Sequence, residues 1–197
     1  MSVSGSAKPL PPKRGRLASS KSKPTTQRRQ PSSRLQKPRD VIVDSREPKS
    51  TDLKLQEVGF VVDRKALETG DFVWVSSKGE VVGVERKTAS DFLQSLTDKQ
   101  ANGRTRFQNQ MGRMLTTYSQ PVLLIEGKLS PMPDGFTIAE TRMTTWWWAS
   151  VDNIFLSAQR SGILVAHCGR GQVASRLVTL VQYFDKPQHT LIKTGED

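Results

Sequence analysis

The chain has 197 residues, 35% of them hydrophobic, and a formal net charge of +11. This length suits one domain with a substantial core plus a tail, and no segment approaches the roughly 18 continuous apolar residues of a membrane span. The single cysteine, Cys168, excludes an intrachain disulfide and a multi-cysteine zinc site. The composition therefore predicts a protein with no membrane association and a polyanionic partner.

Residues 1–39 form a basic segment that holds eleven of the 30 Lys and Arg residues and no Asp or Glu. The remaining 19 basic residues equal the 19 acidic ones, so the whole positive excess lies in this segment. Its Pro- and Ser-rich composition predicts a disordered arm that can neutralise DNA phosphates without reading sequence. A linker, a solubility tail or an address signal is the alternative. Because no apolar signal core is present, we expect an intracellular protein, in the cytoplasm of a prokaryotic or viral host or in a nucleus, and not a secreted one.

The segment from residue 40 onward has the pattern of alternating strands and helices. Short apolar runs predict six strands, at residues 41–44, 60–64, 72–75, 81–87, 122–126 and 163–168. The third and fourth are joined by a short connection at 76–80, where Gly79 favours a hairpin. The order of elements along the chain, in which hairpin strands precede an alternation of helix, strand and helix, predicts an α/β fold. We expect a mixed sheet with helices on both faces.

Capping residues and apolar stripes at helical spacing predict four helices. They are expected to begin at or near Thr88, Asn102, Thr137 and Val173. The third is expected to run through Trp146-Trp147-Trp148 to Gly162, which would point the three rings in different directions. Core packing is the leading explanation for these rings, and base stacking or a subunit interface is the alternative for an exposed one.

Charged residues follow a hairpin whose strands otherwise suit a core. Alternation along a strand places Glu85 and Lys87 on one face, and Asp71 begins the antiparallel partner strand close to Glu85. Two such carboxylates could hold Mg²⁺ or Mn²⁺, which activates water and stabilises charge on a phosphate. Lys87 could orient that water or neutralise the transition state. Taken alone, this spacing is also typical of an exposed ion pair on a surface hairpin.

The larger pattern resembles the nuclease domain of the XPF family, including archaeal Hef. The family motif of Gly-Asp, a spacer, Glu-Arg-Lys, three residues and Asp is complete, as Gly70-Asp71, Glu85-Arg86-Lys87 and Asp91. An upstream Asp-x-Arg-Glu matches Asp44–Glu47, and a downstream Gly-Arg-x-x-x-Gln is similar to Gly103–Gln108. These ordered motifs make the resemblance specific.

The resemblance implies a restriction-endonuclease-like domain over residues 40–185, followed by a C-terminal tail of residues 186–197. It implies a Mg²⁺- or Mn²⁺-dependent endonuclease of DNA repair or recombination that hydrolyses phosphodiester bonds near a branch, flap or junction. Three groups of residues carry this expectation: the metal ligands Asp71, Glu85 and Asp44; the further catalytic residues Glu47, Arg86, Lys87 and Asp91; and the DNA-binding residues Arg46, Arg104 and Gln108. Asp91 could instead serve a helix N-terminus, and Arg46 could pair with a carboxylate rather than a phosphate. For Arg104 and Gln108 the alternative is a solvated polar face.

The chain departs from the family in ending about a dozen residues after its last predicted helix. Family nucleases commonly carry tandem helix-hairpin-helix modules there, which bind DNA and support dimers. A homodimer, or a heterodimer with a DNA-binding subunit, is therefore an expectation from the resemblance alone. Two alternatives to a flap nuclease remain: a catalytically inactive DNA-binding partner subunit, and a Holliday-junction resolvase built on the same domain.

Overall fold

A computed structural model describes residues 34–187, which contain nine strands and five helices. The strands are β1 Arg39–Asp44, β2 Phe60–Lys65, β3 Phe72–Val75, β4 Val81–Thr88, β5 Gln120–Glu126, β6 Leu129–Pro131, β7 Phe136–Ala139, β8 Arg142–Trp147 and β9 Leu164–Cys168. The helices are α1 Ser50–Glu57, α2 Ala89–Thr97, α3 Arg106–Thr117, α4 Trp148–Arg160 and α5 Val173–Asp185. All six strands predicted from the sequence are present.

Six strands form one mixed sheet in the order β2-β1-β3-β4-β5-β9. The hairpin strands β3 and β4 pair antiparallel, and β3 also pairs antiparallel with β1. The pairs β1–β2, β4–β5 and β5–β9 are parallel. Since β4 and β5 run parallel, their carboxyl ends meet at the same edge of the sheet. The predicted mixed α/β sheet is confirmed.

Two hydrophobic cores lie on opposite faces of this sheet. One contains Leu55 of α1 and residues of α5, and the other contains residues of α2, α3 and α4. Strand β5 serves both, because Leu124 packs in the first core and Leu123 in the second. A strand buried on both faces reads as a continuous apolar run, which is why β5 was evident from the sequence.

The predicted start of α3 is wrong by a few residues. The helix is capped by Thr105, whose hydroxyl accepts from the N–H of Gln108, while the Gln108 carboxamide oxygen accepts from the Thr105 N–H. This reciprocal capping box fixes the start of the helix. Asn102, the predicted N-cap, lies in the preceding loop and bonds the side chain of Asn109.

The prediction of a helix beginning at Thr137 is also wrong. Residues 137–147 belong instead to β7 and β8, which with β6 form a three-stranded antiparallel sheet. The β-branched and aromatic side chains of this segment suit a pleated surface better than a helix. The ring of Trp147 is 54% exposed and stacks on Phe136, with 4.4 Å between centroids. Trp146 and Trp148 pack against the second core, and the helix starts only at Trp148.

Helix α1 was not predicted, because only Leu55 of its eight residues is buried and no apolar stripe marks it. The described part of the chain also includes residues assigned to the basic arm: Leu35 packs against the first core, and Arg39 pairs with Asp185. The arm up to residue 33 and the tail from residue 188 lie outside the described residues. No helix within residues 34–187 is both long and apolar enough to cross a membrane.

Candidate active site

The Gly70-Asp71 turn lies directly before β3 and beside the end of β4. The Asp71 N–H donates to the Val84 carbonyl at 2.7 Å, and the Asp71 carboxylate accepts from the Arg86 N–H at 2.7 Å. Gly70 adopts a φ of +81°, a conformation that favours glycine. These two bonds hold the Asp71 carboxylate against β4 in the antiparallel arrangement predicted from the sequence.

Glu85 and Lys87 project from β4 toward the helices of the second core. They are only 6% and 2% exposed, and the Lys87 Nζ donates to the Glu85 Oε1 at 3.1 Å. The same ammonium lies 3.6 Å from the carboxylate of Asp91. Because burying ionised groups is costly unless they are paired, this arrangement differs from the exposed ion pair of a surface hairpin. That alternative is wrong.

The electrostatics of Asp71 fit a site for a cation. Burial, together with the negative charge of Glu85, raises the pKa of Asp71 from 3.8 to about 7. A bound Mg²⁺ or Mn²⁺, which prefers carboxylate oxygens, would stabilise the ionised form of Asp71. Within residues 34–187 no three His, Cys, Asp or Glu side chains form a ready-made metal cluster. The two carboxylates Asp71 and Glu85 would leave the other ligand positions of an ion to water or phosphate oxygens, an arrangement common for Mg²⁺.

Asp44 and Arg46 form a corner at the end of β1. The buried Asp44 carboxylate accepts four N–H bonds: three from Arg46, including two from its guanidinium, and one from the Leu67 backbone. The Arg46 side chain is the main cause of a pKa of about 2 for Asp44. Four donors match the four lone-pair sites of a carboxylate, so metal ligation by Asp44 would require one donor to be displaced. Arg46 thus pairs with a carboxylate, while its side chain, 72% exposed, can still reach a phosphate.

Arg86 points to the opposite face of the sheet from Glu85 and Lys87. Its guanidinium bridges Glu47 at 3.2 Å and Glu126 at 2.5 Å. Glu126 in turn accepts from the Gly171 N–H at 2.7 Å, just before α5. Glu47 and Arg86 therefore contact each other but not the Glu85–Lys87 pair, and the catalytic roles expected for them stay a prediction. Sequence reasoning did not single out Glu126 as a partner of this group. An acidic residue at the end of a buried apolar strand was the signal that could have found it.

Asp91 lies at the N-terminus of α2 and also beside Lys87. Its N–H donates to the Thr88 hydroxyl, which caps α2. Its carboxylate lies near Lys87 and bonds the Arg106 guanidinium at 2.9 Å. Asp91 thus joins the cluster through Lys87 while its backbone belongs to a helix cap.

The spacing Arg-x-x-x-Gln occurs twice before and within α3, and the structure brings the second occurrence to the cluster. Arg104 lies exposed in the loop, and the Gln108 carboxamide is engaged in the helix cap. Arg106 instead bonds Asp91, and the Gln110 Nε2 donates to the Glu85 Oε1 at 2.9 Å. Sequence reasoning missed this second pair, although its identical spacing was visible. DNA binding by Arg104 and Gln108 stays a prediction.

Tyr118 directly follows α3 and contacts the segment that leads to Asp71. Its hydroxyl donates to the Thr69 carbonyl, directly before the Gly70-Asp71 turn. A Cβ at Gly83 would lie 2.1 Å from the Tyr118 ring, so only glycine leaves room for that ring against β4. Tyr118 and Gly83 therefore support the backbone that presents Asp71.

Comparison with known proteins gives consistent results. The ERCC4 domain matches residues 43–184. The 3′-flap repair endonuclease Xpf of Saccharolobus solfataricus is 31% identical over 104 residues, which are 53% of this chain and 36% of that protein. This chain thus spans about a third of the length of that relative. XPF from Aeropyrum pernix superposes with a TM-score of 0.55 at 25% identity, covering 72% of this chain and 62% of that one. The same protein in complex with DNA gives a TM-score of 0.53 at 24% identity, covering 77% and 68%.

Proposed function

Since this chain belongs to the ERCC4 domain family, we propose that it is a metal-dependent DNA endonuclease that hydrolyses phosphodiester bonds. The observation that carries the proposal is the buried cluster in which Glu85 and Lys87 pair beside Asp71, whose pKa is raised. A carboxylate that resists ionisation is destabilising in the metal-free protein. Carboxyl groups perturbed in this way cluster at catalytic and metal-binding sites, which supports a metal-dependent hydrolase over a protein that only binds DNA.

Each residue of the cluster would have a separate role in phosphodiester hydrolysis. Asp71 and Glu85 would hold Mg²⁺ or Mn²⁺, which supplies a bound water of lowered pKa and stabilises charge on the phosphate. Lys87 is held by Glu85 and Asp91 so that its ammonium stays in the cluster, where it would neutralise negative charge that develops on the phosphate. Arg46 is largely exposed after the end of β1, and it would contact a phosphate of the DNA backbone.

The substrate that we propose is branched DNA, such as a flap, a fork or a junction. The support is the family, together with a relative named as a 3′-flap repair endonuclease and a similar fold solved in complex with DNA. The eleven basic residues of the segment 1–39 would add affinity that does not depend on sequence. A dimer, or a complex with a DNA-binding subunit, is the assembly that the family resemblance leads us to propose, and light scattering tests it.

Cleavage of labelled duplex, flap, fork and four-way substrates, with Mg²⁺, Mn²⁺ or EDTA, tests the function. We expect metal-dependent cutting of branched substrates in preference to the duplex. The Asp71→Asn variant, purified identically, controls for contaminating nucleases. Binding without cleavage in both metals would instead identify an inactive partner subunit, and cutting confined to the four-way substrate would identify a junction resolvase.

A further inference from the structure

Helix α3 carries one polar side chain on the side that otherwise packs in the core. Phe107, Met111 and Met114 are buried there, and Gln110 lies three residues after the first and four before the last. Residues at these spacings share a helix face. A glutamine in this position replaces an apolar contact, so its amide must be engaged in something else.

The Gln110 amide makes one bond and leaves one atom without a partner. Its Nε2 donates to the Glu85 Oε1 at 2.9 Å, whereas its Oε1 is buried without a hydrogen-bond partner. The Glu85 Oε1 also accepts from the Lys87 Nζ, so the amide turns its NH₂ rather than its oxygen toward this carboxylate. A buried acceptor without a partner is destabilising, so a donor is expected at this position.

The capping box and three hydrogen bonds of Arg106 with Asp91 and Asp98 hold the first turn of α3 in place. The Arg106 N–H donates to the Asp98 carbonyl, and the Arg106 guanidinium bonds the carboxylates of Asp91 and Asp98. With the helix fixed in this way, Gln110 reaches the cluster from a rigid support. Rigid support of this kind is typical of residues that orient the ligands of a metal.

We propose that Gln110 is a positioning residue of the metal site. Its Nε2 orients the Glu85 carboxylate, and its unpartnered Oε1 would accept a hydrogen bond from a water molecule of the site when an ion is held there. This inference rests on the proposed function, since it requires an ion at Asp71 and Glu85. A Gln110 that served the fold alone would affect stability and leave metal affinity unchanged.

Gln120 offers a matched control for Gln110. Its Nε2 donates to the Glu80 Oε1 at 2.9 Å, which is the same kind of bond at the same length. The pair lies where β4 and β5 begin, and five residues of extended strand separate Glu80 from Glu85 by roughly 17 Å. Loss of this bond should have no effect on the cluster.

Titration of the full chain with Mn²⁺, followed by calorimetry in the absence of DNA, tests the proposal. We expect Gln110→Leu to weaken Mn²⁺ binding about 10-fold or more, as for other residues that orient metal ligands, and Gln120→Leu to leave it unchanged. Gln110→Glu keeps an oxygen at the position but loses the donor, so it should regain part of the affinity that the leucine variant loses. Circular dichroism verifies that each variant is folded.

The outcomes separate this inference from the proposed function. If the wild-type chain binds Mn²⁺ and Gln110→Leu binds it equally well, Gln110 has no role at the metal and only this inference is overturned. If Gln110→Glu binds no better than Gln110→Leu, the carbonyl oxygen is not involved, which also overturns it. If the wild-type chain binds no Mn²⁺, the proposed metal site and the inference fail together.

Discussion

The last residues of β4 carry one cation on each face of the sheet, and each cation lies between two carboxylates. The two arrangements differ in the segments that they join. On one face Lys87 lies between Glu85 and Asp91, two and four residues away in the sequence. On the other face Arg86 lies between Glu47 and Glu126, 39 and 40 residues away. The first cation joins groups that β4 and α2 already hold together. Arg86 links three segments to one another: β4, β5 and the loop that follows β1.

This difference supports the catalytic role proposed for the Lys87 face and a structural role for the Arg86 face. Arg86 cross-links distant segments, so its loss should release them from one another. Lys87 has little to cross-link but lies in the cluster beside Asp71, where burial and a like charge already raise a carboxyl pKa. Three consecutive residues of one motif therefore need not share one role, because a strand sends neighbouring side chains to opposite faces.

Asp71→Asn should have the largest effect on cleavage. Removal of one metal-ligand charge is expected to lower kcat/KM by about 1000-fold or more, because the ion contributes several kcal/mol to transition-state stabilisation. DNA binding in gel-shift assays should stay near the wild-type level. Asp63→Asn on β2 is the control, since Asp63 is exposed and pairs only with Lys65. Wild-type cleavage by Asp71→Asn would remove this residue from the active site.

Lys87→Ala should have the second largest effect on cleavage, with a fall in turnover of about 100-fold to 1000-fold. The change in Mn²⁺ affinity should be smaller, because Lys87 is not proposed as a ligand. Lys87→Arg should not restore the rate, since the Lys87 side chain is 1% exposed and a planar guanidinium needs more space. Single-turnover assays at saturating metal measure the effect. An Ala variant with full activity would mean that the Glu85–Lys87 pair is purely structural.

Arg86→Leu should damage the fold more than the chemistry. It leaves Glu47 and Glu126 without their cation, and removing one partner from a buried ion pair costs about 3 kcal/mol or more. The side chain is 23% exposed, so water will compensate for part of this. We expect a lower Tm and less than a tenfold loss of turnover per folded molecule. A normal Tm with a loss as large as that of Lys87→Ala would instead support the catalytic role that the family resemblance implies.

The main sheet and the cluster of Asp71, Glu85 and Lys87 could be predicted because each depends on local pattern. The strands are buried apolar runs, and alternation alone places Glu85 and Lys87 together. The Thr137–Trp147 segment could not be predicted. Its Thr and Glu residues mimic a helix start, whereas the pairing of β7 with β6 and β8 decides its structure. Gln110 was missed for another reason: two Arg-x-x-x-Gln pairs exist, and only the capping box of α3 decides which one faces Glu85.

The smallest effect expected is on metal-free stability, and its dependence on pH separates two aspartates. Asp44 has a pKa of about 2, below its ordinary 3.8, so its stabilising contribution is present above pH 3.8 and is lost as the pH falls toward 2. The contribution of Asp71 to stability changes with pH in the opposite direction. Its pKa of about 7 means that the folded state retains a proton that the unfolded state has lost, so stability declines as the pH rises from about 4 through 7.

In EDTA, the Tm of the wild-type chain should therefore fall between pH 5 and pH 8, and Asp71→Asn should reduce that fall by about 5 °C. Mn²⁺ should raise the wild-type Tm more at pH 8 than at pH 5, because the ion competes with the proton for the same carboxylate. The variant should respond weakly to Mn²⁺ at both pH values. Differential scanning calorimetry measures all three. If the wild type and Asp71→Asn lose the same Tm in EDTA, Asp71 does not carry the raised pKa, and the electrostatic argument for a cation at this face loses its support.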